Sequence, residues 1–168
     1  TRTLRLAAGL APLLLVAGAA WPVLDDASPP STTPARYSPL TQITKANVSR
    51  LAVAWTYRVD DARPEAFTTI ECTPLIVDGV MYLTTAYLRV VALDAATGAE
   101  LWQFDPLKDH PFEHEPTSGG VNRGCAYWSD GRPDGERRIL HGTSDGRLFS
   151  LDAKTGKLDP QFGDGGVR

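Results

Sequence analysis

Leu93-Asp94-Ala95-Ala96-Thr97-Gly98 returns 58 positions later as Leu151-Asp152-Ala153-Lys154-Thr155-Gly156. In both copies the aspartate carboxylate and the threonine hydroxyl can bond the turn's own amides, and the glycine is free to take positive φ. After the first copy, Glu100-Leu-Trp-Gln-Phe104 reads as a strand. Its Trp102 brings a large flat surface to bury and an N–H that needs an acceptor. The second copy has Asp159 or Pro160 in the place of that tryptophan.

The same order extends outward from each turn. Arg89-Val-Val-Ala-Leu-Asp94 and Arg147-Leu-Phe-Ser-Leu-Asp152 read as the strands that lead into the two turns. Before the first lie Pro74-Leu-Ile-Val-Asp78, Gly79 and Val80-Met-Tyr-Leu-Thr-Thr85, two strands joined at an Asp-Gly turn, the strongest short hairpin signal. Before the second lies Arg138-Ile-Leu-His141, and Lys157 onward continues the repeat. Further upstream, 51–59 alternates apolar and polar residues after Ala54, as a half-buried strand does, and 41–51 holds the one credible helical turn. Repeats of short strands with a fixed glycine-containing turn predict propeller blades. The repeat is longer than the ~40–50 residues usual for a blade, and the polar stretch 107–134 reads as an insertion that accounts for the excess. The fold class expected is all-β, a partial β-propeller of two to three blades. Blades bury their faces only against neighbours, so this piece by itself is expected to be marginally stable or unfolded.

The 168 residues, 42% hydrophobic and 22% charged, suit a globular domain rather than a disordered one. A net charge of −3 argues against nucleic-acid binding, and two cysteines are too few for a disulfide framework or a zinc site. Residues 1–20 combine Arg2 and Arg5, an apolar run and the small residues Ala17-Gly18-Ala19, the parts of a secretory signal or, less in keeping with its length, of a membrane anchor. Either places the remainder in the periplasm, exported or anchored to the inner membrane. Residues 21–35, with Pro22, Pro29, Pro30 and Pro34, read as a linker, and the folded part is expected over 36–168. A start at Thr1 and an end within Phe162-Gly-Asp-Gly-Gly-Val-Arg168 suggest a piece of a longer chain.

Five segments in order resemble the pyrroloquinoline quinone (PQQ)-dependent dehydrogenases. They are Arg36-Tyr-Ser-Pro-Leu-Thr-Gln-Ile-Thr-Lys-Ala-Asn-Val48 with Leu51 and Ala54-Trp55; Glu71-Cys-Thr-Pro-Leu-Ile-Val-Asp-Gly-Val-Met-Tyr82; the turn Leu93–Trp102; Asn122-Arg-Gly124 with Trp128; and the stretch 137–152 with Phe162-Gly-Asp-Gly-Gly-Val167. The last looks most like the membrane glucose dehydrogenase branch. The resemblance implies an eight-bladed quinoprotein propeller with PQQ and Ca²⁺ in its central funnel. It further implies oxidation of a sugar, polyol or alcohol hydroxyl by hydride transfer to the quinone, with electrons passed to ubiquinone or a cytochrome. The competing reading is a non-enzymatic propeller of PQQ-like repeats that serves as an envelope assembly scaffold, which would have no reason to keep Glu71 and Asn122-Arg-Gly124.

By the resemblance, Arg123 and Glu71 are the cofactor-binding residues. PQQ carries three carboxylates, and the planar fork of an arginine suits them. The alternative for Arg123 is a surface residue in a polar insertion. A glutamate in an apolar, threonine-rich strand is costly to bury unpaired, so the alternatives for Glu71 are a lysine partner or an exposed blade edge. The Ca²⁺ ligands and the catalytic aspartate base belong to later blades of the family, so no catalytic residue is expected here. The alcohol branches carry two adjacent cysteines before Asn-Arg-Gly, which Pro116-Thr-Ser-Gly-Gly-Val121 lacks, and this favours the sugar or polyol branch. The histidine often found in the glucose branch is Gly119 here. Cys72 and Cys125 lie close to the two anchors, and export would permit a disulfide, although two buried free thiols are the preferred reading. Asp109, His110, Glu113, His114 and Glu115 form an acidic, His-containing patch for which solvation is preferred over metal binding.

Overall fold

The computed structural model describes residues 41–61, 69–108, 111 and 121–168, all within one compact unit, Pro39–Arg168. The expected signal or anchor, the linker and the acidic His-containing patch lie outside the described residues. Among the described residues no helix is long and apolar enough to cross a membrane.

Among the described residues, seven strands form two antiparallel sheets. The first sheet is a simple meander, β1 (Leu75–Val77), β2 (Val80–Thr84), β3 (Val90–Asp94) and β4 (Glu100–Phe104). The second contains β5 (Ala126–Ser129), β6 (Arg137–Gly142) and β7 (Leu148–Asp152), again in chain order. The Asp-Gly signal is realised as a two-residue turn: Asp78 and Gly79 have φ of 50° and 78°, the paired positive values whose twist matches a hairpin. In β3, Val90, Val91, Ala92 and Leu93 are at most 1% exposed, so this strand is covered on both faces, and its unbroken apolar run requires that.

One core joins the sheets. Tyr82, Val90 and Ala92 from the first pack with Ile139, Leu151 and Ala153 from the second, and Trp102, Phe104 and Tyr127 close around them. Phe104 and Phe149 meet at a tilt of 59° with centroids 5.4 Å apart, and the Tyr82 hydroxyl donates to the Ala153 carbonyl at 3.2 Å.

The repeated turn builds itself as its residues suggest. The Asp94 carboxylate accepts from the Thr97 amide and hydroxyl, both at 2.8 Å, and Asp152 does the same for Thr155 at 2.8 and 2.7 Å. The Thr97 side chain and backbone donors hold the Asp94 carboxyl below its ordinary range. Each turn is also a seat. Trp102 lies on Gly156, so close that a Cβ there would stand 2.5 Å from the ring, and its Nε1 donates to the Ala153 carbonyl at 3.1 Å. Trp55 sits in the same way on Gly98 and donates to the Ala95 carbonyl at 3.2 Å. Each tryptophan therefore reads the turn of the repeat that follows it.

Three expectations need correction. Residues 51–59 form no strand: the chain leaves the short 3-10 turn Val48–Arg50 in extended form but pairs with nothing described, and it is held by Trp55 and by Tyr57, whose hydroxyl donates to Glu100 at 2.5 Å. Its place relative to the first sheet is that of β4 relative to the second. β5 falls inside the stretch read as an insertion, where Tyr127 and Trp128 supply β-forming residues opposite Ile139 and Arg138. Lys157 onward gives no fourth strand. Pro160 and the glycines of 163–166 break the ladder, and isolated bonds cover the outer edge of β7, with Leu148 and Arg168 exchanging both amides and Ser150 donating to Gly166.

Candidate functional site

Antiparallel order decides which loops meet. Residues before β1 and after β2 share one end of the first sheet, and residues before β5 and after β6 share the same end of the second. Glu71 and Arg123 are brought together there. Arg123 Nη2 lies 3.2 Å from Glu71 Oε2, with 83% and 39% of the two side chains exposed. So exposed a pair contributes at most about 1 kcal/mol to stability. Glu71 engages one terminal nitrogen of an arginine side chain that is otherwise largely exposed.

Below the pair the backbone is tightly tied. The Thr73 amide donates to the Arg123 carbonyl at 3.2 Å. Asn122 Oδ1 accepts from the Gly124 amide at 2.7 Å and from the Thr84 hydroxyl at 3.0 Å, while Nδ2 donates to the Gly142 carbonyl at 2.9 Å. Gly124 has φ of 127°, and a Cβ there would lie 3.2 Å from the Thr73 carbonyl, so glycine is required at this crossing. Sequence reading singled out Asn122 only as part of a motif; the donor and acceptor on its short amide were the available signal. Two further polar groups nearby were not foreseen. Asp61, 9% exposed, accepts from the Thr85 hydroxyl and from the Tyr87 amide. His141 is fully buried beside Phe149, and neither ring nitrogen finds a hydrogen-bond partner of good geometry. Burial pushes its pKa down to about 4, with the Leu88 backbone opposing weakly.

Cys72 and Cys125 are free thiols. Cys72 Sγ accepts from the Thr84 amide at 3.2 Å, and Cys125 packs against the core, where burial pushes its thiol up to about 12, helped by the nearby Cys72. Among the described residues no group of three or more histidine, cysteine or carboxylate side chains could hold a metal. A cleft of about 1080 Å³ opens between the sheets elsewhere, lined by Tyr82, Trp102, Tyr127, Arg138 and Lys154 among others. Neither Glu71 nor Arg123 lines it.

A four-stranded and a three-stranded antiparallel meander, each with the same Asp-x-x-Thr-Gly turn and docked tryptophan to turn, define a piece of a β-propeller. A model of the PQQ glucose/ethanol/alcohol dehydrogenase β-propeller domain matches residues 30–167, and the chain belongs to this family. It is 47% identical over 123 residues to the dehydrogenase subunit of the alcohol dehydrogenase (quinone) of Gluconobacter oxydans (strain 621H), covering 73% of this chain and 15% of that protein. Among solved structures, quinohemoprotein alcohol dehydrogenase ADHIIG from Pseudomonas putida HK5 aligns with a TM-score of 0.57 at 40% identity, over 72% of this chain and 16% of that one. The quinohemoprotein alcohol dehydrogenase of Comamonas testosteroni aligns with a TM-score of 0.54 at 37% identity, over the same shares. The chain thus spans about 15% of the length of the curated relatives it matches.

The propeller expectation holds, but the membrane glucose dehydrogenase branch finds no support, because these relatives are alcohol dehydrogenases. That expectation rests on the stretch 137–152 with 162–167, and the sugar or polyol reading on the absence of two cysteines before Asn122. Likeness spread over 123 aligned residues outweighs so local a difference.

Proposed function

We propose that this chain supplies the first blades of a PQQ-dependent alcohol dehydrogenase and that Arg123 and Glu71 form one edge of its quinone site. The observation that carries the reading is the exposed Arg123–Glu71 pair on a loop fixed to both sheets. PQQ offers carboxylates and quinone oxygens, all acceptors, and the guanidinium of a largely exposed arginine side chain suits them. Glu71 orients that guanidinium and keeps the local charge balanced when no anion is present. PQQ, when bound, supplies a two-electron oxidant for a hydroxyl-bearing carbon. The base that must take the hydroxyl proton would come from beyond this chain, as would the ligands of a Ca²⁺ or other metal ion, so these blades hold and orient rather than catalyse.

An alcohol is favoured as substrate over a sugar or polyol by the names of the relatives, and so is a quinone or cytochrome as electron acceptor. A periplasmic location follows from the same reading, with residues 1–20 as the signal or anchor. The test is reconstitution of the full-length protein with PQQ and Ca²⁺, followed by dye reduction across alcohols, polyols and sugars. Turnover of primary alcohols in preference to glucose is expected, and retention of no quinone by a folded protein would defeat the proposal. Arg123→Ala removes charge-assisted bonds of about 1.5–3 kcal/mol, so PQQ should bind roughly ten- to a hundredfold more weakly. Unchanged affinity would remove Arg123 from the site.

A further inference from the structure

We propose that Asn122 is the positioning residue of this site: by bridging the two sheets with one side-chain amide, it fixes the backbone from which Arg123 reaches the quinone. The inference rests on the proposed role of Arg123. Asn122 faces two ways. Its Oδ1 accepts from Thr84, at the end of β2 in the first sheet, and from the Gly124 amide one residue past Arg123. Its Nδ2 donates to the carbonyl of Gly142, the last residue of β6 in the second sheet. The orientation of the amide is determined by these partners, since a flipped side chain would set its NH₂ against the Gly124 N–H and its oxygen against the Gly142 carbonyl.

Arg123 is thereby enclosed. The Asn122–Gly124 bond closes a turn around it, and its carbonyl is held by the Thr73 amide two residues from Glu71. The partners are themselves fixed: Thr84 is 1% exposed and its amide donates to Cys72 Sγ. These constraints fall on the backbone and none on the guanidinium, whose side chain is 83% exposed and touches Glu71. Rigid support beneath a free recognition group lowers the ordering cost of binding. No other side chain of similar length does the same work: aspartate lacks the donor for Gly142, and serine is too short to span both sheets.

The experiment is a binding cycle on the full-length protein with PQQ itself, followed by quenching of intrinsic fluorescence. It uses Asn122→Ala, the isosteric Asn122→Asp, Arg123→Ala and the Asn122→Ala/Arg123→Ala double variant, with thermal midpoints measured alongside. Asn122→Ala and Asn122→Asp are each expected to weaken PQQ binding roughly tenfold when Arg123 is present, and Asn122→Ala to change nothing further once Arg123 is alanine. A purely structural role would lower the thermal midpoint while leaving affinity alone, or would weaken binding equally in both backgrounds. Either result overturns the proposal while leaving Arg123 in place. If Arg123→Ala itself leaves affinity unchanged, the quinone-site reading falls and this inference falls with it. Should Asn122→Ala not fold, the isosteric aspartate decides alone: wild-type affinity in a folded Asn122→Asp protein refutes the bridge to Gly142.

Discussion

Substituting alanine for Gly156 should destabilise the protein far more than the same change at Gly146, and the difference measures the tryptophan seat. Both glycines have positive φ, 69° and 87°, so each alanine carries a left-handed strain of about 1–2 kcal/mol. At Gly146 nothing lies within 4 Å of the new methyl group, and strain is the whole effect. At Gly156 the methyl would stand 2.5 Å from Trp102 Cε3 and 2.6 Å from Cδ2, and the indole must retreat. Retreat adds an overpacking penalty of about 1–3 kcal/mol. It also stretches the 3.1 Å bond from Nε1 to the Ala153 carbonyl, worth about 1 kcal/mol. Gly156→Ala should therefore reach about 3–6 kcal/mol where Gly146→Ala stays at about 1–2 kcal/mol. Urea unfolding of the full-length protein, followed by far-ultraviolet circular dichroism with a check that the slope is unchanged, measures both. The double variant Gly156→Ala/Trp102→Ala should recover about 1–3 kcal/mol relative to additivity, because the clash leaves with the ring. Equal losses at the two glycines, or strict additivity in the double variant, would show that the ring does not bear on the turn.

Two further outcomes follow from buried titratable groups. His141 is neutral when folded, with its pKa lowered from 6.5 to about 4, so its contribution is fully present above pH 6.5 and is lost as pH falls towards 4. The wild-type protein should lose up to about 3 kcal/mol across that window and His141→Phe should not, by urea midpoints at pH 7 and pH 4; parallel pH profiles would refute it. Cys125, its thiol pushed up to about 12 by burial, should resist iodoacetamide at pH 8 until denaturant is added, and mass spectrometry showing native alkylation at the denatured rate would contradict its packing against the core.

Local patterns were legible where a residue's partner lies close in the chain. The Asp78-Gly79 hairpin, the apolar run of β3 and the self-bonding Asp-x-x-Thr-Gly turns all follow from contacts within a few residues. Partners far along the chain were not legible. The alternation of 51–59 puts Trp55 in a strand, yet its acceptor is Ala95, forty residues on, and no periodicity reports such a bond. β5 was hidden because four residues among glycines, prolines and charges carry too little pattern to separate a strand from a loop. At the candidate site, residue types pointed to Glu71 and Arg123, and the structure joins them. The tie through Asn122 depends on Thr84 and Gly142, which become its neighbours only once both sheets exist.

The antiparallel order also separates two tasks. Asp94 and Asp152 end β3 and β7, so the seats for Trp55 and Trp102 lie at the end of the sheets where β2 and β6 begin. Glu71, Arg123 and Asn122 belong to the opposite end, where β2 and β6 finish. Contacts that hold one repeat to the next can vary at their end without moving the arginine. The second sheet shows that variation: opposite Asp152, where the first sheet has Val80 opposite Asp94, stands Arg138, and it bonds Asp159 at 3.0 Å in the region where the missing tryptophan would fall. The crossing at Asn122 is different in kind, because its amide must satisfy a donor from one sheet and an acceptor from the next at once. If Arg123 holds the quinone as proposed, adhesion between the two sheets and recognition of the cofactor would then depend on the same side chain.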